Sequence, residues 1–288
     1  KLQFALKDEG DGIGDVVIRR NKATIATRAL PTNRTVTPSG EILVEETVSL
    51  EPGDNLVTVT AFDRDDAVDA GEAIRLPIHY DSTAPANAPT LYVVSIGIDQ
   101  YEAPELNKLE NAVNDANGIV QSLEQNTKGL FSRVRPVALL NQQAALKTIT
   151  QTLIQVGKEA KPDDLIVLFL AGHGISLDGR YYFMPYDAKL SGNDMKEQIK
   201  NTALTQKILS DLLSALPTSR VAVLIDSCNS GAFAVMDSVM MRNPNQERAW
   251  TGSLAQNTGR FVLAGTSTEQ EALDGINGHG VFTSVLLD

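Results

Sequence analysis

The sequence predicts two domains of different class: an all-β module over residues 1–84, and an α/β domain over residues 90–288 with a mostly parallel sheet and helices on both faces. Three observations carry this. The first third of the chain holds short β-branched or alternating runs separated by turn clusters. From Thr90 onward, apolar runs alternate with stretches whose apolar residues recur at steps of three and four, the pattern of strands joined by crossover helices. Between the two lies Asp81 to Pro89, DSTAPANAP, which reads as a linker and places the narrowest joint at residues 85–89.

In the module, Val16 to Ile18, Thr24 to Thr27, Ile42 to Leu50 and Asn55 to Phe62 are the expected strands. Turn clusters such as Asp8-Glu9-Gly10-Asp11-Gly12, Pro31-Thr32-Asn33 and Glu51-Pro52-Gly53-Asp54 separate them. Leu56 to Phe62 alternates apolar and polar residues, as a half-buried antiparallel strand requires. The spacing suggests a small β-sandwich, and the pattern resembles the immunoglobulin-like modules that precede catalytic domains in bacterial multidomain proteins. With no cluster of catalytic residue types, the module reads as a spacer or as a docking site for a regulatory partner. His79, at its end, has no partner in view and reads as an ordinary surface or core histidine.

The α/β domain opens with a strand at Leu91 to Ile98. Leu109, Val113, Ala116, Val120 and Leu123 then mark an amphipathic helix, and Val134 to Leu140 a second strand. Asn141 is a candidate cap for a helix presenting Leu146, Ile149, Leu153 and Val156 on one face. Leu165 to Leu170 is a buried strand, Tyr181 to Pro185 a further strand or a pocket wall, and Ile208 to Leu216 a third helix. Val221 to Ile225, Arg260 to Ala264 and Val281 to Leu287 read as strand, strand and final helix. No internal repeat is visible.

Composition narrows the function classes. An apolar fraction of 42% is ample for ordinary cores. A net charge of −11 with pI 4.8 argues against nucleic acid as a partner, since no basic stripe offsets it. No apolar run is long enough to span a membrane. One cysteine excludes an internal disulfide framework and fits a reducing, cytoplasmic compartment. The chain starts at Lys1 and stops inside the final helix, so a fragment with material missing at both ends is expected.

The chemistry concentrates at two strand ends. Val221 to Ile225 runs into Asp226-Ser227-Cys228-Asn229-Ser230-Gly231, which carries the chain's single cysteine. Leu165 to Leu170 runs into Ala171-Gly172-His173-Gly174. In an open parallel sheet, the carboxyl ends of the strands line one crevice where ligands bind. A lone cysteine is commonly a buried small hydrophobe, but Asp, Ser, Asn and Ser flank this one. A thiol becomes a nucleophile when an imidazole takes its proton, and His173 between two glycines has room to do so. No third residue orienting the imidazole can be identified from the sequence.

These two motifs, in this order and on these elements, resemble the histidine and cysteine motifs of caspase-like cysteine peptidases. Asp-Ser-Cys-x-Ser-Gly looks like the metacaspase and prokaryotic caspase branch. The resemblance covers roughly Leu91 to Asp288. Ile96-Gly97-Ile98-Asp99-Gln100-Tyr101, Gly265-Thr266-Ser267 and Gly278-His279-Gly280-Val281-Phe282-Thr283 agree with it further. It implies that Cys228 attacks the scissile carbonyl, that His173 shuttles the proton, and that the N–H groups of Gly174 and Cys228 hold the oxyanion. It also implies an acidic substrate pocket of Asp115, preceded by Asn114, and Asp226. Two carboxylates there favour cleavage after Arg or Lys. The bland readings are a solvated helix position for Asp115 and a turn cap for Asp226. His279 falls in a peripheral segment and receives no catalytic role.

No cofactor or metal is predicted, with calcium dependence left open. Many metacaspases bind calcium in a dense acidic run after the histidine loop, whereas Asp178, Asp187 and Asp194 are spread apart here. The polar, turn-rich stretch Asp237 to Gly259 lies where relatives carry the linker between large and small subunits. An Arg-specific enzyme would cut itself there at Arg242 or Arg248. The expectation is therefore a cysteine endopeptidase acting on protein or peptide substrates. The alternative is a catalytically silent caspase-like scaffold, and a flavodoxin-like phosphoacceptor or nucleotide domain, with Asp226 at a strand end, ranks last because no Gly-rich phosphate loop follows the first strand.

Overall fold

The computed structural model describes residues 1–8, 13–21, 23–29, 35–46, 48, 50, 53–63, 73–81, 88–177, 180–190, 194–227, 250–255, 258, 260–265 and 278–288. The N-terminal part is a sandwich of two antiparallel sheets. One has the order β1-β5-β4, from β1 (Leu2–Leu6), β4 (Thr35–Val36) and β5 (Ile42–Glu46). The other has the order β3-β2-β6-β7, from β2 (Ile13–Arg20), β3 (Ala23–Ala29), β6 (Gly53–Asp63) and β7 (Ile74–Tyr80). Phe4, Leu6 and Ile42 of the first face Val16, Ile18, Val57 and Val59 of the second, each at alternate positions along its strand. Full burial of such a side chain stabilises by roughly 1.5 to 3 kcal/mol.

In the α/β part, β8 (Thr90–Gly97), β9 (Arg133–Leu140), β10 (Leu165–Ala171), β14 (Val221–Asp226) and β15 (Phe261–Ala264) form one parallel sheet in the order β15-β14-β10-β8-β9. All eight residues of β8 are buried, because helices cover both faces. On one face, α2 (Leu146–Glu159) and α4 (Gln206–Ser214) supply Ile149, Leu153, Val156, Leu209 and Leu213 against Val94, Ile96, Leu168 and Val223. On the other, α1 (Ala112–Asn126) and α5 (Val281–Leu287) pack Ala112, Ala116, Ile119, Phe282 and Leu286 around Phe169. A smaller antiparallel sheet, β11 (Gly174–Leu177), β12 (Arg180–Phe183) and β13 (Leu204–Thr205), follows the histidine motif, with α3 (Met195–Thr202) inserted before β13. Tyr181 to Phe183 is thus a strand.

Three local expectations are corrected. Asn141 does not cap α2: it starts a 3-10 turn with φ +46, and its Oδ1 accepts the N–H groups of Asp99 and Gln100. The N-cap of α2 is Ala145, and the Leu146 N–H goes to Asp187 Oδ1 at 2.9 Å. Within the stretch read as turn-rich, residues 250–255 are helical, and Trp250 is buried, an aromatic anchor that polar composition around it concealed. His79 does have partners: Nδ1 meets Asp54 Oδ1 at 2.5 Å and Nε2 meets Asp81 Oδ1 at 3.0 Å on the surface. β7 ends at Tyr80 and β8 begins at Thr90, on either side of the proline-containing stretch. The module meets the α/β part where β3 lies against α4 and where Arg20, fully buried, donates from Nη2 to Ser219 Oγ at 3.4 Å.

Candidate active site

The end of β8 builds the floor of the site. At Gly97 a Cβ would stand 2.3 Å from the Ala112 carbonyl oxygen and 2.7 Å from the Ala116 Cβ, so only glycine lets α1 lie this close to the sheet. Asp99 then closes the start of α1, its Oδ1 accepting the Val113 N–H at 3.2 Å. Tyr101 is half-buried, and its hydroxyl oxygen accepts the His173 N–H at 2.7 Å. Its ring lies 5.0 Å from the imidazole, tilted by 33°. Burial holds the Tyr101 phenol well above its ordinary range, so it stays a neutral acceptor and spacer. Gly172 makes room for it: a Cβ there would stand 2.7 Å from the Tyr101 hydroxyl.

His173 leaves β10 two residues after Ala171 and is 3% exposed. Its Nε2 donates to the main-chain carbonyl oxygen of Asn107 at 2.7 Å. A carbonyl accepts only, so Nε2 carries the proton and Nδ1 is the basic nitrogen of the neutral ring. Burial pushes the His173 pKa below its usual value, partly offset by the Asn107 bond. The group that orients the imidazole, which the sequence did not reveal, is therefore a backbone oxygen, which leaves no trace in residue types.

β10 and β14 are in register, with Ala171 opposite Asp226. Adjacent parallel strands lie about 4.8 Å apart, so the chain delivers the histidine loop and the Asp226–Ser227 step side by side. Ser227 Oγ shares a hydrogen bond of 2.5 Å with the Tyr181 hydroxyl, and the Tyr181 ring stacks on Trp250 at 4.1 Å. Gly174 permits this approach, because a Cβ on it would stand 2.7 Å from Ser227 Oγ and 2.8 Å from the Tyr181 ring. Cys228 follows Ser227 directly and lies outside the described residues, as do Arg242, Arg248 and Asp178.

Asp115 and Asp226 come together. A Cβ on Gly280 would be 3.0 Å from Asp115 Oδ2 and 3.2 Å from Asp226 Oδ2, so the two carboxylates flank one point. Neither is a solvated surface acid. Asp115, 3% exposed, accepts the Gly280 N–H at 3.0 Å and the His279 Nδ1–H at 2.9 Å. Asp226 Oδ2 accepts the Thr283 hydroxyl at 2.6 Å. Asn114 Nδ2 donates to the Gly278 carbonyl oxygen. The start of α5 is thus held by acids from α1 and β14. Burial raises both carboxyl pKa values; in Asp115, where the His279 bond opposes burial and the Asp226 charge adds to it, the result is about 6. His279 was invisible as a partner because 164 residues separate it from Asp115.

Asp187 and Asp194 cap helices, the latter accepting the Glu197 N–H at 3.2 Å. Among the described residues, no group of three or more His, Cys, Asp or Glu side chains stands together as a metal site. No helix among them is long and apolar enough to cross a membrane.

A parallel sheet covered by helices thus places His173 after β10 and Ser227, the residue before Cys228, after the neighbouring β14. The family model described as the Caspase domain matches residues 91–288, and the chain belongs to that family of cysteine-peptidase domains. Such a domain takes protein substrates. Comparison with curated proteins gives no match. Among solved structures, the chain is similar to a structural-genomics protein of Geobacter sulfurreducens, at 19% identity over 69% of this chain and 81% of that one, with a TM-score of 0.45. It is also similar to a polysaccharide deacetylase of Bacillus cereus, at 11% identity over 99% and 82% of the two chains, TM-score 0.26. A multi-modular chitinase of a Paenibacillus strain gives 11% identity over 92% of this chain and 23% of that one, TM-score 0.20. At these scores the structural likenesses carry no argument.

Proposed function

We propose that the protein is a cysteine endopeptidase that cleaves after Arg or Lys, with Cys228 and His173 as its catalytic pair. The observation that carries this is the hydrogen bond from His173 Nε2 to the Asn107 carbonyl, which leaves Nδ1 as the base beside the loop that leads into Cys228. Nδ1 takes the thiol proton, and Sγ attacks the scissile carbonyl carbon. The Gly174 and Cys228 N–H groups stabilise the oxyanion. As the C–N bond breaks, the leaving amine takes the proton from His173; water, activated by the same nitrogen, then hydrolyses the thioester.

Asp115 and Asp226 supply the negative charge that selects a basic residue before the scissile bond. The metacaspase-type Asp-Ser-Cys-x-Ser-Gly motif supports that choice. Residues 1–84 form the accessory, immunoglobulin-like module, through which a regulatory partner acts on the peptidase domain of residues 90–288. Self-processing falls at Arg242 or Arg248, upstream of the buried Trp250.

The test is hydrolysis of matched fluorogenic peptides ending in Arg, Lys or Asp by the native chain and Cys228→Ala, with and without calcium. Cleavage after Arg or Lys that vanishes in the variant supports the proposal. Cleavage after Asp refutes the acidic pocket but keeps the pair. No cleavage of any peptide favours the scaffold reading.

A further inference from the structure

Asp115 is expected to meet a substrate cation, yet it already has an imidazole partner in its own chain. His279 reaches it across α1. Its ring lies over Gly118, where a Cβ would stand 2.8 Å from His279 Cε1, so glycine at this helical position forms the groove that accepts the imidazole. The Nδ1–H then bonds to Asp115 Oδ1 at 2.9 Å. Asn114, one residue earlier, holds the Gly278 carbonyl from the other side. The His279 side chain keeps 20% exposure against 4% for Asp115. The imidazole therefore keeps an edge toward water while its partner is sealed.

Charge fixes what this does. Among the described residues, the charged groups acting on Asp115 are His279, from the segment before α5, and Asp226, from β14. Ionisation of Asp115 adds a negative charge to the niche that it shares with Asp226, and a substrate guanidinium or ammonium is attracted to that charge. We propose that His279 is a specificity-determining residue of the peptidase: by pairing with Asp115 it sets the pH at which the acidic niche becomes attractive to a basic side chain. This rests on the Arg/Lys reading above. Asp115 titrates near 6, with the His279 bond acting against burial, so loss of the imidazole moves that titration to higher pH.

The test compares the native full chain with His279→Leu, which removes the imidazole and its hydrogen bond to Asp115 and offers no donor in its place. Hydrolysis of two peptides differing only in Arg or norleucine before the scissile bond is measured from pH 5 to 8.5. The ratio of their kcat/KM values cancels the ionisation of Cys228 and His173, which both reactions share. In parallel, carboxyl carbon NMR follows Asp115, assigned with Asp115→Asn, in protein without substrate. In the native chain the ratio is expected to rise roughly tenfold through pH 6, the scale of one charged contact. In His279→Leu both this rise and the Asp115 titration are expected at higher pH. If both stay where they are in the native chain, His279 has no such role, although the Arg/Lys reading survives. If the Asp115 titration moves but the ratio stays near one at every pH, the Arg/Lys reading fails and the specificity role fails with it.

Discussion

Replacing Gly174 with alanine tests the placement of the nucleophile loop directly. The new Cβ would stand 2.7 Å from Ser227 Oγ, about 0.7 Å inside ordinary contact, and 2.8 Å from both the ring edge and the hydroxyl of Tyr181. Tyr181 cannot yield easily, because its other face stacks on Trp250 at 4.1 Å. Ser227 therefore takes most of the displacement, and Cys228 is the next residue. Overpacking of this kind costs about 1 to 3 kcal/mol of stability. A nucleophile misplaced by roughly 1 Å loses on the order of 100-fold in rate. The assay pairs kcat on an Arg peptide with the rate of iodoacetamide alkylation, which reports on the chain's single thiol without needing a substrate. Thermal unfolding checks that the variant is folded at the assay temperature. A folded Gly174→Ala protein with native kcat and native alkylation would refute the coupling of Gly174, Ser227 and Cys228.

Tyr181→Phe keeps the stack on Trp250 but removes the 2.5 Å bond to Ser227; it is expected to lower kcat by about 3- to 10-fold, with KM little changed, as steady-state kinetics would show. Asp164→Ala leaves the Thr90 and Lys161 N–H groups without their acceptor, so a loss of about 2 to 4 kcal/mol is expected in urea unfolding. His173 must be neutral to act as base, and burial lowers its pKa, so activity should fall as pH drops through a value below 6.5. A norleucine peptide isolates this limb from the acidic niche, and a midpoint above 6.5 would contradict the buried geometry.

β10 and β14 were legible because each holds an unbroken apolar run, and α2 and α4 because a single apolar stripe faces the sheet. The strands β1, β4 and β7 were not. Thr35–Val36 is too short to show a period, and β7 is an edge strand carrying Pro77 with mostly exposed residues. Helix α3 has only Ile199 buried, so it presents no stripe. At the site, His173 announced itself by residue type and by its position after a strand, whereas Asp115, inside α1, and Asp226 were singled out through the family resemblance. The groups that hold them did not. Asn107 acts through a main-chain oxygen, Tyr101 and Tyr181 read as ordinary aromatics, and His279 acts across a separation no local pattern records.

The acids that grip the start of α5 have a consequence for a chain that has been cut. Residues 228–249 separate two sets of elements whose contacts are all noncovalent. β14 pairs with β15 over four residues, and Arg260 Nη2 donates to the carbonyls of Leu213 and Leu216. Trp250 stacks on Tyr181, and Asp115 and Asp226 receive Gly280 and Thr283. A nick between residues 228 and 249 breaks none of these bonds. The two fragments would remain a complex through gel filtration and part only under denaturant. Mixed again, the smaller would behave as a ligand of the larger, returning the stacking partner of Tyr181 and the imidazole of Asp115 to a fragment that had lost both.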